Sequence, residues 1–536
     1  MGFIAVESWY RTAVANDLRA SPIASSFKPK LFPLALLAGA SAYLLTGALP
    51  FDGDPYRGQM AAGITALVAV CWLSNVIALG AASLLPLGLM PLFGVLDIQE
   101  ASSAYAHPVI WMFFGGFILA LGIERWGLHR RIALNIVIRI GAEPTRLVLG
   151  FAIAAAALSM WLNNTAMTLL LLPIATALID SMERAQGVTG TNAKNFAFSL
   201  LIAIAYACSI GGIATPIGTA PNAMLLSNYA AYEEAGAPPL TFPIWMSSGV
   251  PLVALMIPIV WLLLTRVLAP VTGENPRARE ILENEARSLP PMSVPERRMG
   301  LVFFAAALLW TFRRDIDLGT LGSIPGWWRL FPVGDAESMG DATVAALVAV
   351  TSFVIPAGDR RSDALMNWET ARRLPWDILF LIGGGIAIAK SFSSTGLALA
   401  LGESIQPILQ AMPTLGMVLT VCFAMTFLTE VTSNTAMTAL MLPVLGGTAL
   451  ALDVDPRLLM VPATFSASCA FMLPIATPPN AIVFSSGRIS MVRMARVGFV
   501  INLIGVALIT LTVWLLSVPV MGISLDAAPA WAAIPR

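Results

Sequence analysis

Long apolar stretches separated by short polar segments recur along this chain, from Leu31 to Val518. A membrane-spanning helix needs about 20 apolar residues in a row. Candidate spans of roughly that length are 31–49, 60–80, 82–98, 108–123, 244–268, 299–312 (which is short), 340–356, 376–391 and 497–518. The apolar runs are continuous rather than alternating, which favours helices over barrel strands. The pattern therefore predicts an all-α polytopic membrane protein.

Four further apolar stretches are too long for one span and are interrupted by polar residues, Gly or Pro: 147–179, 195–232, 406–452 and 458–487. Residues 147–162 would rise about 24 Å as a helix, short of the roughly 30 Å hydrocarbon core. Lipid offers no hydrogen-bond partner to an interrupted backbone. We therefore expect 147–179 and 406–452 to be re-entrant hairpins, and the other two stretches to be broken helices.

Composition supports a membrane protein, and charge placement indicates its orientation. Hydrophobic residues make up 57% of the chain and charged residues 12%, against about 25% charged in soluble proteins. These values exclude a soluble enzyme, a nucleic-acid-binding protein and a disordered chain. With both hairpins re-entrant, 24 of the 31 Lys and Arg residues fall on the side of the N-terminus, and basic residues favour the cytoplasm. We expect eleven spans, a retained cytoplasmic tail at 1–30, and a C-terminal tail at 522–536 outside the cell.

The chain also contains an internal repeat. Residues 163–173 (NNTAMTLLLLP) match residues 433–443 (SNTAMTALMLP) at eight of eleven positions. Two further matches keep the same order, namely 115–128 with 383–397 and 213–223 with 475–481. In the expected topology the first hairpin enters from the inside and the second from the outside, so the repeats are inverted. Inverted repeats with broken helices are typical of secondary transporters, whose sites lie near the midplane.

The interrupted segments carry polar groups suited to small ions but almost no charge. Helix N-terminal N–H groups at such breaks favour an anion, while C-terminal carbonyls with Asn, Ser and Thr oxygens favour a small cation such as Na⁺. Glu430 is the one Asp, Glu, Lys, Arg or His in the four long stretches, whereas a proton relay needs several such groups. We expect Glu430 to pair with local donors and hold its tip in shape; the alternative is that it tunes cation affinity.

The paired Asn/Ser-Asn-Thr tips, each followed by an Ala-Thr-Pro break, resemble the divalent anion:sodium symporter family, also called the INDY family. The resemblance covers about 30–520 and implies a homodimer with eleven spans and two hairpins per protomer. It also implies an elevator mechanism, in which a transport domain slides against a dimeric scaffold. The implied parts are a scaffold at 31–144 and 299–405, a transport domain at 145–270 and 406–521, and a cytoplasmic loop at 271–298.

The resemblance also implies which residues bind the transported ions. The implied sodium ligands are Ser159, Asn163, Asn164 and a carbonyl near Gly212 at the first site, and Thr429, Thr432, Asn434 and the carbonyl of Ala476 at the second. The implied substrate contacts are Asn163, Asn164, Thr165, Ser433, Asn434, Thr435, Thr477 and Pro478, with Thr215 and Pro216 as the repeat-related pair. Asn163 departs from the family's usual Ser, is bulkier and adds two N–H donors, so it could alter sodium coupling.

The predicted function is secondary active transport of a small divalent anion, with Na⁺-coupled uptake of a C4-dicarboxylate such as succinate as the leading form. Dicarboxylate exchange and sodium-coupled sulfate uptake are alternatives within this class, and Asn163 keeps exchange open. An anion channel would need a ring of basic residues or a continuous pore. An intramembrane serine enzyme would need Ser and His in contact. The cysteines and histidines lack metal-ligand spacing, so we expect no cofactor besides Na⁺ as the coupling ion.

Overall fold

The structure is a computed structural model that describes residues 31–49, 51, 54–74, 76–186, 190–273, 275, 277–317, 323–331, 339–358, 364–525 and 527–532. The predicted tail at 1–30 and the last four residues of the predicted tail at 522–536 lie outside the described residues. The described part is almost entirely helical. A single two-stranded antiparallel ribbon joins β1 (Ile316–Asp317) to β2 (Ser323–Ile324). The predicted all-α class is therefore confirmed.

The helices before the first hairpin are α1 (Phe32–Thr46), α2 (Pro55–Ser74), α3 (Leu79–Ser83), α4 (Leu85–Leu92), α5 (Ile98–Tyr105), α6 (Pro108–Trp126) and α7 (Leu128–Ile140). The predicted span 82–98 is thus the short pair α3 and α4, which ends at Leu92. Asp97 then starts α5 with a capping box, because its side chain accepts from the N–H of Glu100. The predicted span 108–123 begins at the same residue as α6 and ends three residues before it.

The first interrupted unit is α8 (Pro144–Ser159), α9 (Asn164–Gln186), α10 (Thr191–Gly212), α11 (Ala220–Glu234) and α12 (Phe242–Leu262), which continues as a π-helical turn (Leu263–Leu268). The helices that follow are α13 (Ala278–Ser288), α14 (Val294–Thr311), α15 (Asp341–Val354), α16 (Trp368–Ala371), α17 (Trp376–Ser394) and α18 (Leu397–Gln410), with a 3-10 turn (Trp327–Leu330) before α15. The predicted loop 271–298 thus contains a helix. The segment 271–298 is held to α7 by the ion pairs Arg130–Glu285 and Arg131–Glu296.

The second interrupted unit is α19 (Thr414–Leu428), α20 (Asn434–Ala451), α21 (Arg457–Ala467), α22 (Pro478–Phe484) and α23 (Met491–Thr512), followed by a π-helical turn (Val513–Ser517), α24 (Val518–Met521) and a 3-10 turn (Ala530–Ala532). The second hairpin therefore begins at Thr414 rather than at 406, since 406–410 belong to α18. The chain bends by 115° between α18 and α19, beside Pro413.

The two units share one order of elements. Helix α6 turns into α7 at Gly127, and α17 turns into α18 at Gly396, with φ of 76° and 72° at these two glycines. Glycine adopts this left-handed conformation without a Cβ penalty, so both turns are built in the same way. Each unit then continues through a hairpin and a broken helix. Within the described residues, seven helices are long and apolar enough to cross a membrane, and the full count of eleven stays a prediction.

The core lies around α10, which is buried along almost all of its length. It packs against both hairpin helices α8 and α9 and against α22 of the other unit. Tyr206 on α10 joins the units directly, because its hydroxyl donates to the carbonyl of Phe471 and its ring lies 4.6 Å from the Phe471 ring. The two hairpins and two broken helices therefore form one packed body.

Candidate functional site

The two hairpin tips meet at one cavity of about 800 Å³. Its lining includes 161–165 from the first tip and 431–435 from the second. The broken helices contribute 217–221 and 475–479. The remaining wall is formed mainly by residues of α2, α3, α6 and α17, most of them apolar or aromatic. Motifs that lie 270 positions apart in the sequence are thus brought to one place.

The first tip gathers three of the four residues implied for the first sodium site. The Ser159 hydroxyl donates to Oδ1 of Asn164. Gly212 is adjacent, since a Cβ placed on it would lie 3.3 Å from the same oxygen. Asn163 is exposed, and its Oδ1 accepts from the backbone N–H of Thr165 at 2.8 Å. The Asn163 oxygen therefore serves as a cap for α9, which leaves its NH₂ group as the free donor.

The second tip contains three of the four residues implied for the second sodium site, and the fourth, Ala476, lies in the second broken helix and lines the same cavity. Thr429 and Thr432 donate their hydroxyl hydrogens to carbonyls one turn earlier on the same chain, at 3.0 and 2.6 Å. Their hydroxyl oxygens keep lone pairs for a cation. Ser433 caps α20 by accepting from the N–H of Ala436 at 3.4 Å. Oδ1 of Asn434 is buried and has no hydrogen-bond partner among the described residues. A buried amide oxygen without a donor suits a small hard cation.

The broken helices place the four implied Thr and Pro residues differently. Thr477 and Pro478 line the cavity, and Thr477 caps α22 through its hydroxyl, 3.3 Å from the N–H of Asn480. Thr215 and Pro216 are not among the lining residues. Thr215 is buried and donates its hydroxyl to the carbonyl of Met160. It therefore holds the first tip to the first break.

Sequence reasoning missed Thr219, which is the structural counterpart of Thr477. Thr219 lines the cavity and precedes α11 just as Thr477 precedes α22, with φ, ψ of −149°, 150° and −140°, 150°. The sequence signal for this pair is a shared motif, because Thr-Ala-Pro-Asn at 219–222 matches Thr-Pro-Pro-Asn at 477–480 at three of four positions.

The asparagines that end these two motifs hold the breaks from within. Asn222 is fully buried, and its NH₂ donates to the carbonyls of Gly212 and Thr215 at 3.0 and 2.7 Å. Asn480 is also fully buried and donates to Ala470 and Leu473 at 3.0 and 3.1 Å. Each amide thus satisfies two carbonyls that the interrupted helix leaves free. These residues fix the unwound backbone beside the cavity.

The electrostatics of the cavity come mainly from the backbone. Among the described lining residues Asp377, in the first turn of α17, is the one charged side chain. Helices α9, α11 and α20 begin at lining residues, as does the short α22. Helix N-termini carry partial positive charge and free N–H groups. The cavity can therefore attract an anion without a basic side chain.

Comparison with known proteins supports a transport role. Residues 34–523 match the sequence model of the family described as sodium:sulfate symporter transmembrane region. The sodium-dependent dicarboxylate transporter SdcS of Staphylococcus saprophyticus is 37% identical over 496 residues, which is 91% of this chain and 92% of that protein. The SdcS of Staphylococcus aureus strain USA300 is 37% identical over 501 residues, 92% of each chain.

Two solved structures share the fold at low sequence identity. The YdaH transporter of Alcanivorax borkumensis superposes with a TM-score of 0.54 at 14% identity, covering 86% of this chain and 98% of that one. The MtrF protein of Neisseria gonorrhoeae superposes with a TM-score of 0.56 at 13% identity, covering 93% and 96%. At such identities the likeness extends to the fold alone.

Proposed function

Because this chain belongs to the sodium:sulfate symporter family, we propose that it is a secondary transporter that takes up C4-dicarboxylates such as succinate together with Na⁺. The observation that carries the proposal is the meeting of two polar hairpin tips at one cavity. Relatives that share 37% of their residues with this chain are named sodium-dependent dicarboxylate transporters. Their name supports the substrate class and the coupling ion proposed here.

A linear dicarboxylate has two charged ends, and the cavity has two tips. We propose that one carboxylate is bound by Asn164 and Thr165 and the other by Ser433 and Thr435, with Thr477 beside them. The volume of about 800 Å³ lies within the usual range of about 300–1,000 Å³ for small-molecule sites. Each carboxylate would meet the first turn of a helix, α9 or α20, where N–H groups and the dipole favour an anion.

Sodium would bind beside each tip. At the first tip the side-chain oxygens of Ser159 and Asn164, with Gly212 adjacent, support a cation site, and at the second the oxygen of Asn434, which has no hydrogen-bond partner among the described residues, does so. A cation there would fix the tip and offset part of the charge of the dianion. By thermodynamic linkage, sodium and anion would then raise each other's affinity by the same factor.

Uptake into proteoliposomes tests the proposal. We expect an inward Na⁺ gradient to drive accumulation of radiolabelled succinate well above the level reached with choline in place of sodium. The Asn434→Ala variant should lose this accumulation, while Thr351→Ala, an exposed change on α15, should keep it. Succinate uptake by the wild type that is unchanged by the sodium gradient would refute symport.

Two further outcomes of the same assay identify the alternatives within the class. Exchange predicts uptake that requires internal succinate and is independent of Na⁺. The free NH₂ group of Asn163 supports this alternative, because its oxygen is already used as a cap. Sulfate transport predicts that sulfate competes with succinate and is itself accumulated.

We also propose a cell-membrane protein with a cytoplasmic N-terminus and an extracytoplasmic C-terminus, acting as a homodimer by an elevator movement of the hairpin domain. The bias of Lys and Arg supports the orientation, and family resemblance supports the dimer and the movement. Cysteines introduced one at a time at Asn284 and Leu330, both exposed, test the orientation of the chain in the membrane. A membrane-impermeant maleimide should label Leu330→Cys in intact cells and Asn284→Cys only after permeabilisation.

A further inference from the structure

Glu430 is a buried carboxylate that joins the second hairpin tip to the second broken helix. It lies just beyond the C-terminal end of α19 and is 3% exposed. Its Oε1 accepts from the backbone N–H groups of Phe471 and Met472 at 2.6 and 2.8 Å. Its Oε2 accepts from the N–H of Leu473 at 3.1 Å. Three consecutive N–H groups of an unwound segment therefore point at one carboxylate, as expected for a Glu that pairs with local donors.

Neutral groups complete this arrangement. The NH₂ of Asn502, on α23, donates to Oε1 of Glu430 at 2.6 Å, and the Asn502 side chain is fully buried. Among the described residues, no Lys or Arg forms an ion pair with Glu430. The negative charge is stabilised by charge-assisted hydrogen bonds and is not cancelled. It stands one residue from Thr429 and four from Asn434, both proposed cation ligands.

The first repeat has no such charge. Met160 occupies the position equivalent to Glu430 at the repeat offset of 270, as Asn163 does for Ser433. There the tip is held to the break by the hydroxyl of Thr215 on the Met160 carbonyl. A neutral hydrogen bond thus suffices to join a tip to a break. Holding the tip in shape therefore does not account for the uncancelled carboxylate at the second tip.

From this asymmetry we infer that Glu430 is a positioning residue that raises the affinity of the second tip for its cation, with no counterpart at the first tip. It acts through the backbone of 471–473, which carries Ala476 and Thr477 to the cavity, and through its uncancelled charge. The inference rests on the proposed sodium coupling. It adds to that proposal that the two cation sites differ in strength and that the second binds more tightly.

The Na⁺ activation of succinate uptake tests the inference. Glu430→Gln should raise the Na⁺ concentration for half-maximal uptake about tenfold, as expected when a unit charge several ångströms from a bound cation is removed. Half-saturation by succinate at saturating Na⁺ should stay within twofold of the wild type. Glu430→Asp keeps the charge one methylene further away and should raise the Na⁺ requirement two- to fivefold. Glu296→Gln, a buried glutamate paired with Arg131, should leave it unchanged.

The outcomes separate this inference from the proposed function. A purely structural role predicts less folded protein and a lower maximal rate with unchanged Na⁺ activation, and that result would overturn the inference. If Glu430→Gln fails to fold, the Glu430→Asp variant is the test, and Na⁺ activation equal to that of the wild type overturns the inference. A wild-type protein whose uptake ignores Na⁺ contradicts the proposed coupling instead. Thermal stabilisation by NaCl, measured without substrate against choline chloride, should decrease from the wild type to Glu430→Asp and further to Glu430→Gln.

Discussion

Gly211 provides a quantitative test of how tightly the first tip is packed. A Cβ placed on Gly211 would lie 2.3 Å from the carbonyl oxygen of Ala156 and 2.6 Å from its Cα, whereas ordinary contact begins at 3.4 Å. Both atoms are backbone, so no side chain can rotate away, and α8 must retreat from α10 by about 1 Å. Overpacking of this kind costs about 1–3 kcal/mol, and a rigid backbone contact places Gly211→Ala near the upper end.

The matched control is Gly505→Ala on α23, another buried helical glycine. Its added Cβ would meet nothing closer than Met256 Cε at 3.7 Å, so the substitution should keep the benefit of up to about 1 kcal/mol that Ala has over Gly in a helix. The same benefit offsets part of the clash in Gly211→Ala. The two variants should therefore differ in free energy of unfolding by roughly 1–3 kcal/mol.

Thermal unfolding in detergent, with and without NaCl, measures both stability and sodium binding. Gly211→Ala should unfold at a lower temperature than Gly505→Ala. It should also lose part of its stabilisation by Na⁺, because the displaced chain carries Gly212 and Ser159 of the proposed first site. Equal unfolding temperatures for the two variants would refute the packing argument. Unequal temperatures with equal Na⁺ stabilisation would refute the link between this contact and the site.

Three shorter predictions use other contacts. Asn222→Ala leaves two buried carbonyls unsatisfied and should cost about 2–4 kcal/mol; denaturant unfolding against Thr351→Ala checks this, and a cost below 1 kcal/mol contradicts it. Arg457→Leu removes the cation that pairs with the buried Asp455 at 2.6 Å, so the free energy of unfolding should fall by about 3–5 kcal/mol. The added change Asp455→Asn should restore part of that stability. Asp377→Asn removes the one charged side chain described in the cavity lining and should lower the Kd for succinate, and an unchanged or higher Kd in calorimetry would contradict this.

The sequence predicted the interrupted architecture because backbone chemistry in lipid is strict. Each of the four over-long apolar stretches contains a break in the structure, at 160–163, 213–219, 429–433 and 468–477. The reason is that polar or Pro-rich residues inside an apolar run must face protein rather than lipid. Length and polarity therefore sufficed to locate the breaks within a few residues.

Two features needed the structure. The run from Leu397 to Leu428 has Pro413 at the 115° bend that separates α18 from α19, but Pro407 lies inside α18 without ending it, so proline alone did not locate the bend. The motif Ile-Ala-Thr-Pro occurs in both units, but it ends four residues before α11 in one and overlaps the start of α22 in the other. The two breaks differ in length, so matching letters do not occupy matching places. Thr219 corresponds to Thr477 because both precede a helix.

The placement of charge around the cavity predicts an order of binding. A dianion entering before sodium would meet the dipoles of α9 and α20, each equivalent to about half a positive charge. It would also meet the negative charges of Asp377 in the wall and Glu430 behind the second tip. Two unit negative charges exceed two half-charges of dipole, so the free cavity disfavours the anion. A cation at the second tip cancels this excess of negative charge. We therefore expect sodium to bind first, with succinate causing little thermal stabilisation in choline chloride and a large one in NaCl. Equal stabilisation by succinate in both salts would contradict that order.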